Sequence, residues 1–344
     1  MKLVDLRSDT VTRPTPAMRA AMSEAPVGDD VYGEDPSVNR LEAMAAERLG
    51  QEAALFVASG TQGNLLALLA HCARGDEYIA GQTAHCYRTE GGGAAVLGGI
   101  QPQPLDFRAD GTLDLEQVAG AIKPDDSHYA RTRLLCLENT LSGKVLPLDY
   151  LGHARRLVDA RGLAMHLDGA RVFNAAVKLG VEVDVITRHF DSVSFCLSKG
   201  LGAPVGSLLT GSRELVSRAR RWRKVVGGGM RQAGILAAAG IHALEHHVAR
   251  LAEDHENAAA LAAALAGIEE LSVDPAAVQT NMVHVGVAPE QLRPLASFLA
   301  ERGVLVTPRV PMRLVTHLDV HREDIPAAAK AMREFFTQRL RRAG

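Results

Sequence analysis

The sequence has few cysteines, no excess of either charge and no long apolar run, and each shortage closes off a class of protein. Cys72, Cys86, Cys136 and Cys196 are the four cysteines. They lack the paired spacing that holds a metal and sit mostly in apolar or mixed segments, so buried thiols, a reduced compartment and no bound metal are expected. Lys and Arg number 38 against 40 Asp and Glu, which leaves no field for nucleic acid or an anionic membrane surface. A small-molecule partner is the expectation. No window offers about 18 uninterrupted apolar residues for a transmembrane span, and Asp5-Leu6-Arg7-Ser8-Asp9 breaks the apolar stretch of an export signal. A cytoplasmic location follows.

What is present is a long α/β pattern. A chain of 344 residues is too long for one simple core, and it divides into a large domain over 1–249 and a small C-terminal domain over 250–344. In the first part, short apolar runs at 54–58, 77–80, 134–137, 163–167, 192–197 and 206–209 alternate with helical stretches. Several runs are continuously apolar, which predicts a mostly parallel sheet covered by helices on both faces. An alanine- and leucine-rich tract over 229–267 reads as a long helix linking the domains. Beyond it, a strand at 281–287, a helix at 289–302, a strand at 312–315 and a helix at 324–340 predict an α+β module. No internal repeat or low-complexity linker interrupts the chain, so a rigid joint is expected.

Three segments carry chemistry. Ser59-Gly60-Thr61-Gln62-Gly63-Asn64 follows a strand and opens a helix, presenting free N–H groups and a positive dipole end to an anion such as phosphate; ordinary turn and capping residues would look the same. His166-Leu167-Asp168-Gly169-Ala170-Arg171 ends a strand, where alternation puts His166 and Asp168 on one face. There Asp168 could keep a pyridine nitrogen protonated, or simply pair with Arg171. Ser198-Lys199-Gly200 delivers one lysine between small residues, a setting in which partial desolvation favours the free amine needed for a Schiff base. A lone loop lysine is otherwise a solvated surface residue. Asp168 and Lys199, each at the end of a strand, together with the upstream turn supply anchors for a ring nitrogen, an aldehyde and a phosphate.

With these segments the chain resembles the fold-type-I pyridoxal-phosphate enzymes, and among them the low-specificity L-threonine aldolases. The further marks are Asp5-Leu6-Arg7-Ser8-Asp9-Thr10-Val11-Thr12, Gly28-Asp29-Asp30-Val31-Tyr32-Gly33 and Leu137-Glu138-Asn139-Thr140. The resemblance runs essentially the whole chain. It implies an aminotransferase-like fold, pyridoxal phosphate as cofactor, and cleavage of β-hydroxy amino acids such as L-threonine and L-allo-threonine to glycine and an aldehyde. It also implies that Lys199 forms the Schiff base, Asp168 meets the ring nitrogen and Ser59, Gly60 and Thr61 hold the phosphate. His85 would stack on the ring, and Ser8, Arg171 and Arg313 would clamp the substrate carboxylate, a task that suits the planar guanidinium fork.

Other residues stay open on sequence alone. A histidine is an apt base for the substrate hydroxyl, and His85, His128 or an ordered water could serve; His128 otherwise reads as a surface-loop residue. Lys224 and Arg231 could reach a phosphate, including that of a neighbouring subunit, or form a solvated basic helix end. Resemblance implies a homotetramer with shared sites. A β-eliminating lyase, a racemase or a transaminase would use the same Lys199 and Asp168. A cofactor-binding regulator is disfavoured by the lack of a DNA-reading segment, and a nicotinamide enzyme by the lack of G-x-G-x-x-G spacing.

Overall fold

The computed structural model describes residues 2–343, with side chains described to residue 338. Eleven strands occur among them: β1 Val4–Asp5, β2 Ala53–Val57, β3 Asp76–Gly81, β4 Gln101–Leu105, β5 Arg131–Glu138, β6 Ala164–Asp168, β7 Ser192–Cys196, β8 Ser207–Gly211, β9 Met282–Val285, β10 Val304–Leu305 and β11 Met312–Val315. Seven form one sheet in the order β2-β8-β7-β6-β5-β3-β4. Every neighbouring pair is parallel except those involving β8. The mostly parallel sheet is therefore observed, and its forward-running strands all end on one edge.

Alternation along the strands sorts side chains between two apolar layers. Phe56, Ile79, Leu135, Leu137, Met165, Leu167, Val193 and Phe195 enter the larger layer. On the opposite face, Leu55 and Val57 meet Leu66 and Ala67 of the helix Gly60–His71. Tyr78, Ala80, Leu134 and Cys136 meet Leu68 and Leu69 of the same helix. His166, Asp168, Ser192 and Ser194 also belong to this second face, since their neighbours Leu167 and Val193 point the other way. A polar stripe is thus buried under one helix, where each group must find a partner.

A separate core gathers Leu261, Leu265, Val283, Val285, Leu295, Leu299, Met312 and Leu314 with Val4 and Leu6 from the start of the chain. It is built on the antiparallel pair β9 and β11 and the parallel pair β1 and β10, so the α+β character expected of the last third is present.

Two expectations need correction. The tract over 229–267 is not one helix but two, Gly234–His246 and Leu251–Ala266. No Gly or Pro marks the break. Instead His247 turns inward and its Nδ1 lies 2.7 Å from the carbonyl of Leu201, a tertiary contact that local propensity does not foresee. The edge strand β4, Gln-Pro-Gln-Pro-Leu, was not expected at all. Its prolines are tolerated because it pairs on one side only.

Candidate active site

The strand ends on the forward edge bring most of the expected residues together. Ser59 caps the helix Gly60–His71, its Oγ accepting from Gln62 N–H at 3.2 Å. The N–H groups of Gly60 and Thr61, first in that helix, have no carbonyl to reach within it. The helix lies close on the sheet because two glycines line its approach. A Cβ at Gly63 would stand 2.3 Å from Ser194 Oγ, and one at Gly60 would stand 2.8 Å from Cys196 Sγ. Cys196 Sγ in turn accepts from Lys199 Nζ at 3.3 Å, so the helix terminus and the lysine share a neighbour. The Lys199 loop is held through its carbonyl by Gly202 N–H and Thr12 Oγ1.

Asp168, at the end of β6, is buried and accepts from Asn64 Nδ2 at 2.7 Å and from Ala170 N–H at 3.1 Å. Next to it, His85 donates its backbone N–H to Glu138 Oε2 at 2.9 Å, and its Nδ1 lies 2.6 Å from Glu90 Oε1. That bond to Glu90 raises the His85 pKa. The ligand atoms of His85, Glu90 and Asp168 all lie within 4.8 Å of one another. Glu138 pairs in register with Asp168. Burial, then the Asp168 charge, push its carboxyl up to about 7.

Arg171 does not pair with Asp168. Its Nε and Nη2 grip Asp9 at 2.7 and 2.6 Å in a two-pronged bond. Complete burial pushes the Asp9 carboxyl up, yet Arg171, followed by Lys199, holds it down at about 2. Ser8 caps the short turn Asp9–Val11 beside this pair, its Oγ accepting from Thr10. Arg313, on β11, has a buried Nε with no hydrogen-bond partner. Burial, then Arg309 and Arg171, lower its pKa to about 10.

The remaining candidates stand apart. His128 lies before β5, whose eight residues put about 23 Å between Arg131 and Glu138, so it stands at the far edge of the sheet from Glu138. Its side chain is 83% exposed, with Nδ1 2.6 Å from Asp126. Lys224 ends the helix Arg213–Val225 and lines a cavity of about 370 Å³ with Asp30, Arg220 and Arg223. Arg231 is half exposed and donates to Asp29 at 3.0 Å. Sequence reading assigned no role to Asn64, Glu90, Glu138 or Asp9. Asn64, Glu138 and Asp9 lie within the quoted segments, and Glu90 is an acid five residues after His85, directly before Gly91-Gly92-Gly93.

A family model of β-eliminating lyases matches residues 5–288, and a lyase built on this α/β sheet is the class that fold and site define. Over 98% of its length the chain is 57% identical to the low specificity L-threonine aldolase of Escherichia coli strain K12, all of which is covered. It is 44% identical to a probable low-specificity L-threonine aldolase 2 of Arabidopsis thaliana, covering 98% of each chain. A solved threonine aldolase of Leishmania major shares the fold with a TM-score of 0.81 at 20% identity, over 96% of this chain and 99% of that one. The chain belongs to the low-specificity L-threonine aldolase family.

Proposed function

We infer that this chain is a pyridoxal-phosphate-dependent aldolase that cleaves L-threonine, L-allo-threonine and related β-hydroxy amino acids between Cα and Cβ, giving glycine and an aldehyde. Its family membership supports the activity. The observation that carries the site assignment is the meeting of one lysine amine, one buried carboxylate and one helix N-terminus at a single sheet edge.

The residues fit the cofactor. Gly60 and Thr61, with Ser59, would offer N–H groups to a phosphate; Lys199 would offer the amine that holds the aldehyde; Asp168 would offer a carboxylate to the ring nitrogen; His85 would cover the ring. When bound, the cofactor supplies an electron-poor ring that accepts the pair left on Cα when a bond to Cα breaks. The reading assigns the His85, Glu90 and Asp168 gathering to that ring rather than to a metal.

The chain's own residues then choose the bond. Arg171, held in place by Asp9, and Arg313, whose buried Nε lacks a partner, grip the substrate carboxylate together with Ser8. That grip sets which bond on Cα stands perpendicular to the ring. A base must take the proton of the β-hydroxyl. Within the subunit His85 and an ordered water are the candidates. His128 could serve only the site of a neighbouring subunit, while Lys224 and Arg231 could reach a phosphate, including a neighbour's. A homotetramer with shared sites, a cytoplasmic location and a role in amino acid catabolism and glycine formation belong to the same reading, as does the division at 249/250. Two separate cores support a division in two, although Val4 and Leu6 join the second and Leu251 the first, and no helix among the described residues is long and apolar enough to cross a membrane.

The test is aldehyde release from both threonine diastereomers, with absorbance recorded as glycine is added. Aldehyde with glycine in equal amounts supports the aldolase; a keto acid with ammonia, or inversion at Cα alone, would move the chain to the eliminating lyases or racemases.

A further inference from the structure

Behind Asp168 the polar stripe under the helix Gly60–His71 forms a continuous line. His71 Nε2 lies 2.8 Å from Ser192 Oγ, and Ser192 Oγ lies 2.8 Å from His166 Nδ1. His166 Nε2 is 3.1 Å from Asn64 Oδ1, and Asn64 Nδ2 reaches both Asp168 Oδ2 at 2.7 Å and Glu90 Oε1 at 2.9 Å. Asn64, His166 and Ser192 are all buried. The line therefore spans three elements and ends on two carboxylates, one of which also meets His85.

Proton counting fixes its direction. Asn64 has two amide hydrogens, and two carboxylate oxygens take them, so its carbonyl can only accept. His166 must then donate through Nε2. Burial holds His166 neutral, and a neutral imidazole carries one N–H, so Nδ1 must accept from Ser192 Oγ–H. That uses the serine's only hydrogen, and Ser192 accepts in turn from His71 Nε2–H. Burial keeps His71 neutral as well. All donors point the same way, toward Asp168 and Glu90, an arrangement in which each bond polarises the next.

We propose that His71, Ser192, His166 and Asn64 are positioning residues that form a one-way line of donors, fixing Asp168 and Glu90 as acceptors and so setting how strongly the ring held against Asp168 draws electrons. The proposal rests on the assignment of Asp168 to the ring nitrogen. An ordinary satisfied polar core would need no fixed direction and no link to the cofactor.

Two measurements on the holoenzyme test it. Ring ¹⁵N shifts of histidine-labelled protein should report His166 and His71 as neutral Nε2–H tautomers between roughly pH 6 and 8; an Nδ1–H tautomer or a charged ring at either position overturns the direction. At saturating glycine, the long-wavelength absorbance that glycine builds should fall about tenfold in His166→Leu, the worth of about one net hydrogen bond. It should recover to within about twofold in His166→Gln, whose amide can both donate to Asn64 and accept from Ser192. Equal bands in the two variants overturn the proposal. Should His166→Leu fail to fold, Ser192→Ala removes a single oxygen and should lower the same band; an unchanged band there overturns it too. A Lys199→Ala protein that keeps the wild-type visible band sinks the site assignment itself, and the link to the ring with it, whereas the tautomers are read independently of the lysine.

Discussion

His85 and His128 make the same contact, an Nδ1 held 2.6 Å from a nearby carboxylate, at opposite edges of one sheet. Their surroundings differ. The partner of His85 is Glu90, whose side chain is 4% exposed and which is shared with Asn64, while the partner of His128 is Asp126, 47% exposed on a loop. Solvent screens the second pair and leaves it worth little, whereas the first belongs to a buried polar cluster that a low dielectric makes consequential. The same pattern holds more widely. On the forward edge Arg171 and Asp9 are buried as a pair, whereas on the rear edge the buried Asp76 is met by Arg131 from a side chain 58% exposed. What separates the His85 pair from the His128 pair is burial of the carboxylate partner, and neither residue type nor bond length reveals it.

Breaking the forward edge should cost most at its amine. Lys199→Ala should abolish the visible absorbance of the bound cofactor and reduce aldehyde release below detection; full activity with retained colour would refute the assignment. Next, His85→Asn should lower kcat about 100-fold, the scale of a lost acid–base group, while His128→Asn should cost far less, and similar rates in steady-state assays would erase the contrast drawn here. Arg313→Leu extends the comparison to the second core: KM for threonine should rise about tenfold or more with kcat less affected, and an unchanged KM would mark a structural arginine.

Smaller effects lie in stability. The Glu138 carboxyl ionises near 7 in the fold but near its ordinary value when unfolded, so the folded protein binds an extra proton between those values. Stability should therefore decline as pH rises from about 4.5 toward 7. Glu138→Gln should remove that decline and raise Tm by a few degrees at pH 8 with little change at pH 4, as read by thermal unfolding across pH. The smallest effect is expected from Asp126→Asn on the rear edge, whose Tm should match wild type within error.

Much of this was legible along the chain. Continuous apolar runs ending in Ser59, Asp168 and Lys199 marked the buried strands and the ligand-facing edge, because strand burial and small-residue turns are local properties. The edge strand β4 was hidden because its prolines read as a break, and the interruption at residues 247–250 was hidden because it coincides with a long-range contact of His247 to Leu201. Within the site, the roles of Asn64, Glu90 and His71 stayed hidden for a related reason. Each is unremarkable in its own segment and gains meaning only where three elements cross. The partner of Arg171 was misjudged likewise, since Asp9 lies 162 positions away.

Asp9 is grasped from two directions, by Arg171 beside the sheet and by Asn281 at the start of β9. The opening segment thereby becomes a tether between the two cores: a swing of the second core that tugged Asn281 away would drag on the very carboxylate that steadies the guanidinium. The placement of the second core and the set of the Arg171 guanidinium are thus linked through one carboxylate.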